Sequence, residues 1–582
     1  MKRLLVLLIC LGLAACADSP KDAVDNGTVA INVGGQIQPQ QKSESATASS
    51  ALRAATTLDG DSLKKDSVDK PSSLAQRPMQ APPAAYAAEH FSMQQAQPAL
   101  SGYEQGRERY QTITSNPVKL VAEAPVSTFS IDVDTGSYSN VRRLLNAGQL
   151  PPADAVRVEE LVNYFPYDYS QPADDKPFAV HSELASAPWN ANNLLLRIGI
   201  KGKDVAKQSL PPANLVFLVD VSGSMDEPDK LPLLKASLKL LVNELRTQDR
   251  ITLVTYAGNT AVVLPPTSGD NKGRVMAAID GLNAGGGTAG ASGIRLAYRM
   301  AQQGFVQGGI NRILLATDGD FNVGTTDINQ LKSMIEDRRK SGVSLSTLGF
   351  GTGNYNDETM EQLADVGDGA YSYIDSLMEG HKVLVNEMTS TLATIARDVK
   401  VQVEFNPATV KEYRLIGYED RLLNREDFNN DKVDAGDIGA GHTVTALYEL
   451  TPVNGKGFVD ALRYQPDILA SDKSGELAQV KLRYKQPEAQ ASQLLDFVVQ
   501  RTALKSLAQT SNEFRFASAV AGFGQLLRGG KYTGSWRYED ARQLAATSLG
   551  NDRFGYRGEF LRLVDLAQSL ETKTLAAAHV DR

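Results

Sequence analysis

The segment NLVFLVDVSGS, residues 214–224, decides how the rest of the chain is read. Leu215 to Val219 are apolar without a break, and they lack the alternation of a half-exposed strand. Both faces of such a strand must be covered, as in a parallel sheet flanked by helices. The strand ends in Asp220-x-Ser222-x-Ser224. Ligands of open parallel sheets gather at the carboxyl ends of the strands. Two hydroxyls leaving one tight turn can face the same point, with the Asp220 carboxylate behind them. A hard divalent cation such as Mg2+ takes octahedral oxygen ligands at about 2.0–2.1 Å and keeps several waters, so this donor set suits it.

Outward from this segment, residues 207–396 alternate apolar strands and helices. Strands are predicted at NLVFLVD, RITLVTYA, AVVLP, RILLATD, VSLSTLGFG and AYSYID. Helices are predicted at LPLLKASLKLLVNEL, GRVMAAIDGL, SGIRLAYRMAQQ, DINQLKSMIEDRRKSG, NDETMEQLADVG and HKVLVNEMTSTLATIA. That order predicts a mostly parallel sheet with helices on both faces. Two more oxygen donors fall at strand ends or in βα loops. Thr288 lies in the glycine-rich AGGGTAGASG, whose glycines let backbone approach a ligand closely. Asp318 ends RILLATD.

Asp220-x-Ser222-x-Ser224, then Thr288, then Asp318, in that order on a β/α chain, resembles the von Willebrand factor A-type domain and its metal-ion-dependent adhesion site. All five positions match, and the resemblance covers roughly a third of the chain. It implies a Rossmann-like fold in which Ser222, Ser224 and Thr288 coordinate directly, while Asp220 and Asp318 act mostly through water. It also implies Mg2+, or Mn2+ or Ca2+, as the ion, and a partner's Asp or Glu as the completing ligand. Asp320 is a further acid nearby without an assigned role. A cation held by neutral hydroxyls and two indirect acids stays electrophilic and keeps an open position. No His adjoins these motifs to act as the general base of metal-assisted hydrolysis, so binding is expected rather than catalysis.

The amino terminus reads as an address. Lys2 and Arg3 precede the apolar run Leu4–Leu11, as in a secretory signal too short to span a bilayer. Leu13-Ala14-Ala15-Cys16 resembles the bacterial lipobox, which implies that residues 1–15 are removed and Cys16 carries lipid. Ala17 at the second mature position favours, by the same resemblance, the outer membrane over the inner; the protein is expected to face the periplasm or the cell surface. Residues 16–115 are rich in Ala, Ser, Gln, Pro and Gly and form an expected disordered tether. Roughly 100 flexible residues reach about 50–60 Å root-mean-square.

Cys10 and Cys16 are the only cysteines, so the 566 residues after Cys16 hold no disulfide and no thiolate metal site. Five scattered His leave a zinc site improbable, and the net charge of −8 offers no field for nucleic acid. The remaining organisation is a flanking domain at 116–206 with two helices and a strand pair, the A domain at 207–396, a β-rich flanking domain at 397–487 and a helical domain at 488–582. The last is predicted to begin with a helix over ASQLLDFVVQRTALKSLAQ. Strands on both sides of the α/β unit predict a multidomain α/β protein in which the A domain is inserted in a β-sandwich-like domain. This layout, with STFSIDVDTGSYSNVRR, RVEELVNYFPY and NPATVKEYRLIGYEDR, resembles a group of bacterial A-domain lipoproteins.

Several other patterns carry less. Gly285 to Gly290 satisfies G-x-G-x-x-G but follows a helix, not the strand a dinucleotide site requires. Asp134-Thr135-Gly136 resembles an aspartic-protease signature without the second aspartate such enzymes share a proton with, and helix capping accounts better for it. Asp427, Asn429, Asp431, Asp434 and Asp437 imitate a calcium loop, but Lys432 and Ile438 stand where Gly and Glu are needed, so an acidic solvated loop is expected. LVNYFPYDY, residues 161–169, is expected to be an interdomain packing face. The function expected is a lipid-anchored, metal-dependent protein-binding module of the envelope, not an enzyme; a static scaffold and a metal-assisted hydrolase are its rivals.

Overall fold

Strands that come before residue 203 pair with strands that come after residue 393, and this decides the architecture. The computed structural model describes residues 108–287, 290–319, 328–353, 356–460, 473–487 and 489–580. The signal, Cys16 and most of the tether lie outside these. In one sheet, Asn190–Gly202 runs antiparallel to Phe178–Ala187 on one side and to Thr443–Pro452 on the other, with Ile198 opposite Ala446. In the second sheet, Thr394–Phe405 lies between Val126–Ser130 and Glu476–Lys485. Leu196, Ile198, Tyr448, Val401, Val403 and Val480, drawn from both sheets, share one core. The α/β unit is thus an insertion in a two-sheet sandwich.

The inserted α/β domain has strands β1 Ala213–Asp220, β2 Arg250–Tyr256, β3 Thr260–Ser268, β4 Ile310–Thr317, β5 Ser344–Phe350 and β6 Tyr371–Ile374. Its sheet order is β6-β5-β4-β1-β2-β3, with every neighbouring pair parallel except β2 and β3. The helices include α1 Leu231–Glu244, α2 Lys272–Asp280, α3 Gly290–Gln303, α4 Ile328–Arg339 and α5 Asp357–Val366. The unbroken apolar run of β1 serves two cores. Leu215, Phe217 and Val219 pack with Leu234, Leu238 and Leu241 of α1, whereas Val216 and Leu218 pack with Ile294, Ala297 and Ala301 of α3.

Two predicted helices are corrected. The first half of ASQLLDFVVQRTALKSLAQ holds a strand, Gln493–Gln500, paired antiparallel with Glu476–Lys485 so that Leu495 faces Leu482 and Phe497 faces Val480. Its doublets Leu494-Leu495 and Val498-Val499 satisfy helical spacing as well as alternation, and the non-local pairing decides. HKVLVNEMTSTLATIA is broken into Leu377–His381, a π-helical turn at Lys382–Asn386 and Met388–Leu392, before the sandwich strand starts at Thr394.

The C-terminal helices Asn512–Leu527, Tyr538–Ala546 and Tyr556–Val580 close over helices Gly136–Asn146 and Val158–Asn163. The aromatic run provides the contact: Tyr164 stacks on Tyr138 at 3.8 Å, and Phe165 meets Phe516 and Phe560 edge-on. Among the described residues no helix is long and apolar enough to cross a membrane.

Candidate metal centre

The turn after β1 is built around Asp220, which is fully buried. Its Oδ1 accepts the backbone N–H of Ser222 at 2.9 Å, and its Oδ2 accepts the Thr317 hydroxyl at 3.0 Å. These bonds hold the carboxylate behind the turn and aim the two serines forward. Ser222 Oγ and Ser224 Oγ stand 3.1 Å apart, hydrogen-bonded to each other. The glycine-rich loop docks on the same turn: Gly285 donates to the Val221 carbonyl at 2.7 Å, and Gly223 donates to that of Gly286 at 3.1 Å. Gly286 has φ +89°, a left-handed conformation that favours glycine. Thr288, two residues on, lies outside the described residues, as does Asp320. Asp318, just past β4, is buried beside the turn, where its charge acts on Asp220.

These oxygens fit a hard divalent cation. Neighbouring ligands of an octahedron with bonds of about 2.1 Å stand about 3.0 Å apart, close to the separation of the two hydroxyls. Burial pushes the Asp220 carboxyl above its ordinary value, the Ser222 hydrogen bonds oppose this, and the charge of Asp318 adds to the rise. Crowding two carboxylates in a dry pocket is unfavourable, and a cation would relieve it.

Sequence reasoning missed Lys230. It stands at the N-cap of α1, is 6% exposed, and its Nζ donates to Asp318 Oδ2 at 3.0 Å and to the Ser224 carbonyl at 2.9 Å. Its place in DEPDKLPLL, between the serine turn and a helix, was the only local signal.

One other acidic cluster is accounted for by an arginine. Asp132, Asp134 and Asp365 bring carboxylate oxygens within 4.8 Å of one another, but Arg421 reaches all three, at 3.3, 3.2 and 3.0 Å, and Glu361 at 3.0 Å. Asp134 also accepts the Tyr371 N–H at 2.8 Å. The capping expected at Asp134-Thr135 is not what is found: Thr135 is the N-cap of Gly136–Asn146 and makes no side-chain cap bond. The residues that imitate a calcium loop disperse to separate partners: Asp427 to Asn424, Asn429 to Arg483, Asp431 to Ser492, Asp434 to Arg339 and Asp437 to Asp398. Gly285 follows helix α2 rather than a strand.

Models of two known families, and a third described as a C-terminal region, match successive parts of the chain. The von Willebrand factor type A domain model matches residues 214–387, a model described as von Willebrand factor matches 104–197, and one described as uncharacterized protein YfbK, C-terminal, matches 390–570. The chain is 53% identical over 474 residues to the uncharacterized protein YfbK of Escherichia coli (strain K12), covering 80% of this chain and 82% of that one. Among solved structures, von Willebrand factor type A from Catenulispora acidiphila is 15% identical, with 67% of this chain and 91% of that chain covered and a TM-score of 0.37. Proximal thread matrix protein 1 from the mussel byssus, with a zinc-occupied MIDAS motif, is 22% identical, with 32% and 46% covered and a TM-score of 0.26.

Proposed function

The chain belongs to the YfbK family, with a von Willebrand factor type A domain at its centre, and from that premise we propose that it is a membrane-anchored, metal-dependent protein-binding module of the bacterial envelope. The observation that carries this reading is the pair of converging hydroxyls, Ser222 and Ser224, at a parallel strand end beside two buried acids. Ser222 and Ser224, with Thr288, would hold Mg2+, Mn2+ or Ca2+ directly, and Asp220 and Asp318 would act from outside. The bound ion supplies an electrophilic position for a carboxylate. The chain's own residues shape the rest: Asp220 orients the turn, Gly285 and Gly286 dock on it, and the helices on either face keep the sheet beneath it dry. The partner is an envelope protein presenting Asp or Glu.

Both acids are engaged by the chain's own donors, Asp220 by Ser222 and Thr317 and Asp318 by Lys230, which supports binding over hydrolysis. Anchoring rests on Lys2, Arg3, the apolar run and Cys16 at a lipobox-like sequence. The fold takes up the chain near the loop that follows β5, where Glu108 accepts the Gly353 N–H at 3.2 Å. Affinity capture from envelope extract with Mg2+ or with chelator, comparing the natural chain with Ser222→Ala, tests the proposal. The expected result is a partner lost on chelation and lost with Ser222→Ala. Capture that persists in both cases overturns it in favour of a static scaffold, and metal-dependent turnover of an ester, peptide or phosphate overturns it in favour of a hydrolase.

A further inference from the structure

Lys230 is buried, yet its ammonium is committed to the metal centre rather than to the surface. It donates to Asp318 Oδ2 and to the Ser224 carbonyl, at 3.0 and 2.9 Å. An ammonium taken out of water needs such partners, because desolvating an unpaired charge is strongly unfavourable. The fold also makes room for its stem. Gly351, directly after β5, has φ +75°, and a Cβ there would stand 2.4 Å from Lys230 Cε and 2.5 Å from Cγ. The carbonyl of Gly351 is fixed by the Tyr373 hydroxyl at 2.6 Å. A loop far away in sequence is therefore shaped around this one side chain.

We infer that Lys230 is a built-in counter-cation that keeps the hold on a divalent ion weak until a carboxylate arrives, so that ion and carboxylate bind cooperatively. The inference rests on the metal-binding reading above. Asp220 and Asp318 carry one negative charge each, and Lys230 returns one positive charge to the same buried pocket. A divalent ion alone leaves the pocket with one positive charge in excess. One carboxylate from a partner brings it to neutrality. Without Lys230 the two acids alone neutralise the ion, and the carboxylate becomes the excess charge. In a desolvated site such imbalances dominate, and a coupling between two ligands is reciprocal by thermodynamic necessity.

The test is Mn2+ binding to the purified full chain, followed by electron paramagnetic resonance, with and without saturating acetate as the carboxylate probe. The natural chain is expected to bind Mn2+ about tenfold more tightly with acetate than without it. Lys230→Met, which keeps the stem, is expected to bind Mn2+ alone about tenfold more tightly and to lose most of the acetate effect. Lys230→Gln, which keeps a donor for the Ser224 carbonyl but no charge, gives the same result should Lys230→Met fail to fold. Lys230→Arg retains the weak hold and the coupling. Neutral variants that bind Mn2+ no more tightly than the natural chain, or an acetate effect that survives them, overturn the inference. Ser222→Ala separates the two levels. If it binds Mn2+ as the natural chain does, the metal centre itself is wrong. If it loses Mn2+ while the Lys230 variants change nothing, only the role of Lys230 falls.

Discussion

Ser222 Oγ and Ser224 Oγ stand 3.1 Å apart, and the carboxylate that orients them, Asp220, accepts the Ser222 N–H from behind. Their convergence depends on that backbone bond. Asp220→Asn replaces one accepting oxygen with a donor and removes charge, so divalent-ion affinity is expected to fall by about 10- to 100-fold, the usual effect of losing a group that orients metal ligands. Because an ion that binds only the folded chain stabilises it, at 100 times its dissociation constant by about 2.7 kcal/mol, Mg2+ should raise the melting temperature of the natural chain. The same concentration should leave Asp220→Asn nearly unmoved. Differential scanning fluorimetry across a Mg2+ titration, with circular dichroism to show that the variant is folded, reads both effects.

Arg421 ties the segment that leaves the sandwich to helix α5 of the A domain, pairing Asp132 and Asp134 with Glu361 and Asp365. Removing one partner of a buried ion network leaves uncompensated charge, which costs about 3–5 kcal/mol. Arg421→Met should lower the urea midpoint accordingly. Burial already holds the Asp134 carboxyl well above its ordinary value, and the nearby Asp132 charge adds to this. Adding Asp134→Asn to Arg421→Met should therefore restore part of the loss. A double variant no more stable than the single one would show that Asp134 is not the strained group.

What was legible in the sequence was what a few consecutive residues settle. Leu215–Val219 reads as a strand buried on both faces because its two side-chain sets serve two cores. Asp220, Ser222 and Ser224 read as a site because one turn fixes their geometry, and Asp318 because it adjoins a strand end. Lys230 was not legible, since its meaning comes from the approach of Gly351 and from Asp318, both remote in sequence. The strand at Gln493–Gln500 was misread because its apolar doublets fit either period, and only pairing with Glu476–Lys485 selects one. The Arg421 cluster was invisible for the same reason: its acids come from two separate segments, each of which alone looks like a solvated face.

His442 gives the sandwich a pH dependence of predictable sign. Burial, aided by the charges of Lys382 and Lys201, pushes its imidazole down to about 4, from an ordinary value of 6.5. The folded chain then keeps His442 neutral while the unfolded chain protonates it, so below pH 6.5 the unfolded state binds more protons. Stability from this group is fully present above pH 6.5 and is lost progressively as pH falls toward 4, by at most roughly 3 kcal/mol. His442→Gln removes the titration. Urea midpoints at pH 7.5 and 5 should differ more for the natural chain than for the variant; an equal drop in both would show that other groups set the acid sensitivity.

Phe560 is the point at which the C-terminal helices hold the rest of the molecule. It is fully buried and meets Phe165 at 5.8 Å, Phe516 at 5.6 Å and Phe523 at 5.3 Å between ring centroids, all close to edge-on. Phe165 belongs to the aromatic run near the amino-terminal end of the fold, while the other two lie on Asn512–Leu527, so one ring joins three segments. Its truncation removes the transfer energy of the ring and leaves a cavity that three aromatic neighbours cannot collapse into without losing their own geometry. Phe560→Ala should therefore destabilise by about 3–5 kcal/mol, whereas Phe560→Leu, which refills most of the space, should cost less than half of that. Tyr164 sits in the same cluster and donates its hydroxyl to Glu379 of the A domain at 2.6 Å. Loosening at Phe560 should thus reach that bond, and hydrogen exchange should rise in Leu377–His381 as well as in the C-terminal helices. Exchange confined to the C-terminal helices would show that they dock as an independent lobe.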